Sequence, residues 1–206
     1  VMQYIPGDDL ASLLSERGGP FPVADVLGWA DHLLDALDYL HAQDPPVIHR
    51  DIKPQNMKLT PRGEIILLDF GLAKGAPTDP SHTTGTGSVM AYTAHYAPFE
   101  QIRGAGTDAR SDLYSLGATL YTLLTGRIPA DALSRAEAAM SRQEDPLVRA
   151  DVANPFVPAP VAEVIERAMA MDRTERFPSA IEMRGALREA SRSVGVVPGD
   201  AATLVA

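Results

Sequence analysis

Val47-Ile48-His49-Arg50-Asp51-Ile52-Lys53-Pro54-Gln55-Asn56, followed by Leu67-Leu68-Asp69-Phe70-Gly71, sets the reading of this chain. It brings two carboxylates, one amide and one ammonium into a short stretch, with apolar Val47 and Ile48 ahead to anchor it in a core. Asp51 lies five positions before Asn56, with Lys53 between them. A hard divalent cation such as magnesium takes oxygen donors, keeps several waters and needs only one or two protein ligands, which Asn56 and Asp69 can supply. Moving a γ-phosphoryl group also needs a carboxylate to orient the attacking hydroxyl and a cation to meet the developing charge. Asp51 suits the first need, and Lys53 the second as a point charge.

Either motif alone is weak, because Asp-X-Gly is an ordinary turn signal and His-Arg-Asp recurs by chance. Their order and spacing carry the weight. Between them the pattern predicts a hairpin: Met57 to Thr60 as one strand, Pro61-Arg62-Gly63 as the turn, and Glu64 to Leu68 as the other strand. That hairpin would set Asn56 and Asp69 at neighbouring strand ends.

Helix dominates elsewhere. Asp8-Asp9 can cap a short helix with Leu10, Leu13 and Leu14 on one face, stopped at Gly18-Gly19. Pro22 opens a long helix in which Val26, Ala30, Leu33, Leu37 and Leu40 recur at helical steps. From Asp108 to Thr125 the apolar residues go all the way round, which predicts a central helix ended by Gly126. Further helices are expected near residues 129–141, 160–171 and 178–192. Residues 74–91 are rich in Gly, Ser, Thr and Pro and read as a mobile loop. The segment 193–206 has little to bury and reads as a disordered tail.

Composition bounds the rest. The chain has 206 residues, is 45% hydrophobic, and can bury a real core as one domain. A net charge of −9 without a basic run argues against nucleic acid or an anionic membrane as a partner. No apolar run reaches the roughly 20 residues that span a bilayer, and no cysteine is present for a disulfide or thiolate site. A cytoplasmic setting is expected, with membrane anchoring left to any segment outside these residues. The five histidines show no shared metal spacing, and His49 reads as a packed organiser of backbone.

With these residues in view, the chain resembles the bacterial-type Ser/Thr protein kinases, a eukaryotic-like protein kinase family, over nearly its whole length. The resemblance is to the large C-terminal lobe only, with the N-lobe missing, and it implies an α+β, mainly α fold carrying a small β-hairpin sheet. It implies residues 1–7 as the hinge and the end of the last N-lobe strand, and residues 8–192 as the C-lobe. Within that lobe lie the catalytic loop 47–56 and the activation segment 69–100. Asp51 is similar to the family's base, Lys53 to its phosphate-contacting lysine, and Asn56 and Asp69 to its ligands for Mg2+ or Mn2+. The ATP site is expected to draw on Met2, Gln3, Ile5, Asp9, Lys53, Gln55, Asn56, Lys58 and Asp69. Lys53 favours the Ser/Thr branch over the tyrosine branch.

The same resemblance implies structural roles for His49, Arg50, Phe70, Thr93, Glu100, Asp112 and Arg176. Arg50 would meet a phosphate on Thr84, Thr86 or Ser88, Asp112 would tie down the catalytic loop, and Arg176 would pair with Glu100. Three departures stand out. Phe99 falls between Pro98 and Glu100, where the family usually has Ala-Pro-Glu. Gln55 stands where kinases preferring Arg before the target often carry Glu. These residues include no glycine-rich phosphate lid, no strand lysine and no partner glutamate, so the chain alone is expected to be inactive.

The implied activity is transfer of the γ-phosphate of ATP to protein Ser or Thr, with a kinase homodimer for trans-autophosphorylation among its partners. Two alternatives belong to other classes. A small-molecule kinase shares the Asp, Asn and metal Asp but not Lys53 or the Glu100 and Arg176 pair. A non-catalytic, free-standing C-lobe would act as an interaction or regulatory module, although such a module has no need of four intact chemical residues.

Overall fold

Helix α4 (Ala109–Thr125) is buried at every residue from Ser111 onward, as its unbroken apolar circumference requires. Its buried hydroxyls are satisfied within the helix. Ser115, Thr119, Thr122 and Thr125 each donate to the carbonyl four residues earlier, at 3.2, 2.9, 3.0 and 2.7 Å. A capping box between Asp108 and Ser111 starts the helix and left-handed Gly126 ends it.

The computed structural model describes residues 5–68, 94–197 and 199, together with the backbone of residues 203–205. In chain order the elements before α4 are β1 (Asp8–Asp9), α1 (Leu10–Arg17), α2 (Val23–His41), a 3-10 turn (Pro54–Asn56), β2 (Met57–Leu59), β3 (Ile65–Leu67) and α3 (Phe99–Ile102). After α4 come α5 (Ala132–Met140), α6 (Ala150–Ala153), α7 (Ala159–Ala168), α8 (Ala180–Ser193) and β4 (Thr203–Val205). The described part is mainly α with one small sheet, in the order β1-β2-β3-β4.

The core joins α2, α4, α7 and α8 around Leu33, Leu37, Leu113, Leu116, Val161 and Met183. Each such aliphatic side chain taken fully out of water stabilises by about 1.5–3 kcal/mol. Trp29 packs edge-on against Phe21, centroids 5.1 Å apart, so it is a packing residue. Helix α2 is more deeply covered than its periodicity alone predicts, because Leu27, Leu34 and Ala36 are buried as well.

The hairpin pairs Met57 with Leu67 and Leu59 with Ile65, its first strand one residue and its second two residues shorter than the sequence suggests. Asp8 and Asp9 do more than precede a helix. Asp9 caps α1, and both residues pair antiparallel with Leu59 and Lys58 as β1. That crossing is so close that a Cβ on Gly7, at φ 110°, would lie 2.2 Å from the Leu59 carbonyl oxygen. Only glycine fits there.

The tail departs from expectation. Rather than remaining without structure, its described residues run back along α2, where Gly199 donates to the Ala24 carbonyl at 2.7 Å. Thr203–Val205 then pairs parallel with β3. The edge of β3 offers unpaired backbone groups, and the short extended segment Thr203–Val205 satisfies them by backbone pairing. Gly28 permits the approach, since a Cβ there would sit 2.2 Å from the Gly199 oxygen.

Helices α2 and α8 are also joined by charge. Asp31 accepts from Arg184 and Arg188, and Arg184 reaches Asp35 as well. Burial works to raise the Asp31 carboxyl, but the two guanidinium groups outweigh it and hold it well below the usual carboxylate range. A depressed folded-state value gives stability that is present above the unfolded value of about 3.9 and is lost as pH falls further. Asp31→Asn is therefore expected to lower stability by about 1 kcal/mol at neutral pH. Its urea midpoint should also fall less steeply than wild type between pH 4 and pH 2.

Candidate active site

The loop before Asp51 is shaped by a carboxylate that lies far off in sequence. Asp112, in the first turn of α4, is fully buried. Its Oδ2 accepts the His49 amide at 2.8 Å and His41 Nε2 at 2.9 Å, and its Oδ1 accepts the Arg50 amide at 2.9 Å. A buried carboxylate is tolerated only where donors surround it, and here three donors converge. His49 in turn contacts the Leu68 carbonyl through Nε2 at 3.0 Å, and its Nδ1 accepts the Asp51 amide at 3.3 Å.

Asp51 emerges from this scaffold into a polar cluster. Lys53 Nζ lies 2.8 Å from its Oδ1, and Asn56 Nδ2 donates to its Oδ2 at 2.7 Å and to its backbone carbonyl at 2.8 Å. The 3-10 turn at Pro54–Asn56 makes this possible, because it folds Asn56 back over Asp51 before β2 begins. With its amide hydrogens directed at Asp51, Asn56 turns its hard carbonyl oxygen away from that residue. This is the donor type that magnesium or manganese accepts, so Asn56 fits a metal-ligand role. Asp69, the second expected ligand, lies outside the described residues.

The nucleotide-side residues are only partly in view. Lys58 Nζ donates to the Ile5 carbonyl at 3.0 Å, linking β2 to the segment expected as the hinge. Asp9 is engaged locally, since its two carboxylate oxygens accept from the Ser12 amide at 2.9 Å and the Ser12 hydroxyl at 2.7 Å. Gln55 is exposed and lines an open cleft of about 470 Å³ together with Leu14, Ser15, Pro54, Tyr96 and Thr122. No charged side chain is among the described residues lining that cleft. Met2, Gln3, Phe70, Thr84, Thr86, Ser88 and Thr93 lie outside the described residues.

Arg176 has no side-chain exposure, and its guanidinium meets Glu100 in a two-pronged contact of 2.7 and 3.1 Å. Ser111 Oγ adds a donor to Glu100 at 2.9 Å, and the Tyr114 ring lies 4.8 Å from the guanidinium carbon. Phe99 does not disturb this pair, because it occupies the first position of α3 and sits under the Arg103 guanidinium. Burial works to raise the Glu100 carboxyl, and the Arg176 contact leads a set of hydrogen bonds that lowers it on balance.

Several contacts, some of them at the loop and one away from it, carried no sequence signal. His41 ends α2 and looks like any helix residue, yet it reaches Asp112. Arg50 Nε donates to Thr107 Oγ1 at 2.8 Å, and Gln101 Nε2 donates to the Arg50 carbonyl at 2.7 Å. Arg135, 6% exposed, is held by Asp145 and the Met169 carbonyl. Each partner lies ten or more residues away in sequence, beyond the range of any local pattern.

A family model described as a protein kinase domain matches residues 1–184. Over 197 residues the chain is 35% identical to a probable serine/threonine-protein kinase of Clostridium perfringens, covering 95% of this chain and 28% of that protein. Over 201 residues it is 36% identical to the serine/threonine-protein kinase PksC of Streptomyces coelicolor, covering 96% and 36%. Among solved structures it is similar to the Mycobacterium tuberculosis PknI kinase domain, with a TM-score of 0.68 and 29% identity, covering 92% of this chain and 64% of that one. The chain thus spans about a third of the length of these two curated relatives.

Removing Arg176 while leaving Glu100 strands a partly buried charge. Arg176→Ala is expected to lower unfolding free energy by about 3–5 kcal/mol, read by chemical denaturation.

Proposed function

Because this chain belongs to the protein kinase domain family, we propose that it supplies the catalytic loop of a Ser/Thr protein kinase, which moves the γ-phosphate of ATP to protein Ser or Thr hydroxyls. The observation that carries this reading is the Asp51, Lys53 and Asn56 cluster, joined by contacts of 2.7–2.8 Å.

In this reaction the acceptor oxygen forms a bond to the γ-phosphorus as the bond to the β–γ bridging oxygen breaks. ADP leaves, and the hydroxyl proton passes to Asp51. Asp51 orients the hydroxyl, and Lys53 meets the charge spreading over the transferred group while keeping Asp51 in place. Asn56 fixes the Asp51 carboxylate from the other side. Mg2+ or Mn2+, held by Asn56 and Asp69, would neutralise phosphate charge when bound.

The nucleotide base would lie by the hinge at Met2, Gln3 and Ile5, with Lys58 linking that segment to β2 and with Asp9 and Gln55 toward the mouth of the site. Arg50 would read a phosphate placed on Thr84, Thr86 or Ser88 by a second copy of the kinase. The inventory of these residues holds no glycine-rich lid and no strand lysine, so efficient transfer requires those elements from elsewhere. No described helix is long and apolar enough to cross a membrane; a cytoplasmic site of action is part of this proposal.

The uncharged cleft beside Gln55 supports a substrate preference. With no carboxylate on its described walls, it favours uncharged residues near the acceptor over arginine.

Two measurements test the reading. Asp51→Asn in the native protein is expected to lower kcat by about 10²–10⁴-fold; an unchanged rate would overturn Asp51 as the base, and a native protein with no transfer at all would support the interaction-module alternative. Gln55→Glu is expected to improve kcat/KM by about tenfold for peptides with arginine before the acceptor, a gain of about 1.4 kcal/mol.

A further inference from the structure

Arg50 is held at φ 68°, in the left-handed region that a residue with a Cβ enters at a cost of about 1–2 kcal/mol. Such a turn persists only where its surroundings over-determine it. Here the peptide groups leading to Asp51 are bonded in turn. The His49 and Arg50 amides go to Asp112, and the Asp51 amide goes to His49 Nδ1. The Arg50 carbonyl is held by Gln101 Nε2 at 2.7 Å. That carbonyl belongs to the Arg50–Asp51 peptide, whose plane sets the direction in which the Asp51 side chain leaves the backbone.

Gln101 sits on α3, directly after Glu100, whose carboxylate is fixed by Arg176 and Ser111. The ion pair therefore fixes the helix, and the helix fixes the Gln101 amide. A donor is required at this position. A glutamate of the same size would set a carboxylate oxygen against the Arg50 carbonyl oxygen, and a methionine would fill the space without donating.

We propose that Gln101 is a positioning residue for Asp51, carrying the placement of α3 to the base through the Arg50 carbonyl. This rests on the reading of Asp51 as the group that orients the acceptor hydroxyl. It adds a link distinct from the Asp112 contacts, which hold the His49 and Arg50 amides, and from the Glu100 and Arg176 pair, which holds α3.

The test uses the native protein with Gln101→Glu and Gln101→Met, and reads steady-state kinetics, melting temperature and amide hydrogen exchange. In both variants kcat is expected to fall by about 10–100-fold, the scale of a small misplacement at a reacting group. The KM for ATP should stay within about twofold and the melting temperature within about 4 °C, the shift of about 1 kcal/mol. Exchange should quicken at the amides of residues 49–51 and not across the core helices. Wild-type kcat, or unchanged exchange at those amides, overturns the proposal. Exchange that rises throughout the chain also overturns it, because Gln101 would then be holding the fold rather than the loop. The exchange measurement stands apart from activity. A native protein that transfers no phosphate would refute the proposed function, while faster local exchange would still identify Gln101 as a hold on Asp51.

Discussion

The Asp112 carboxylate is the point on which the site depends. It is fully buried, it carries charge, and its two oxygens accept from His41, His49 and Arg50. Removing a carboxylate from water is tolerated only when donors replace the solvent. The loop before Asp51 supplies those donors by turning its amides inward, and this forces Arg50 into a left-handed conformation. The need to surround one buried carboxylate with donors thus shapes the loop that leads to Asp51. α4 can hold that charge because the rest of the helix asks little of its neighbours, its buried hydroxyls being bonded to its own carbonyls.

A second layer of charge fastens the periphery to the same helix. Glu100, Ser111 and Arg176 bring together α3, the start of α4 and the segment before α8. Such a pair is weak evidence of net stability, since its desolvation offsets much of its attraction. Its value here lies in geometry. It gives α3 one seat, from which Gln101 meets the Arg50 carbonyl.

The helices, and the meeting of Asp51, Lys53 and Asn56, were legible in the sequence because each is a local pattern. The apolar circumference of α4, the hairpin around Gly63 and the spacing of Asp51, Lys53 and Asn56 all lie within windows of a few turns. Less legible were features decided by what packs against them. Asp9 caps α1 as its place before Leu10 suggests, but its pairing with Lys58 in β1 had no local signature. The last residues looked featureless, yet β4 pairs with β3 through backbone groups that carry no side-chain signature. His41 and Gln101 act through partners 71 and 51 residues distant, and a single sequence carries no trace of such meetings.

The separation between the loop and its holds has a kinetic consequence. The contacts that shape residues 49–51 reach Gln101, Thr107 and Asp112, across 51 to 63 residues of intervening chain. Closing such spans is entropically unfavourable, and contacts of this range form late in folding. The local contact in the turn, from the Asp51 amide to His49 Nδ1, is long at 3.3 Å, so the left-handed turn depends on the docking of α4. The geometry around Asp51 is therefore a product of the finished fold. A partly folded chain can hold its helices and still lack it, and the arrangement of residues 49–51 marks a late stage of assembly.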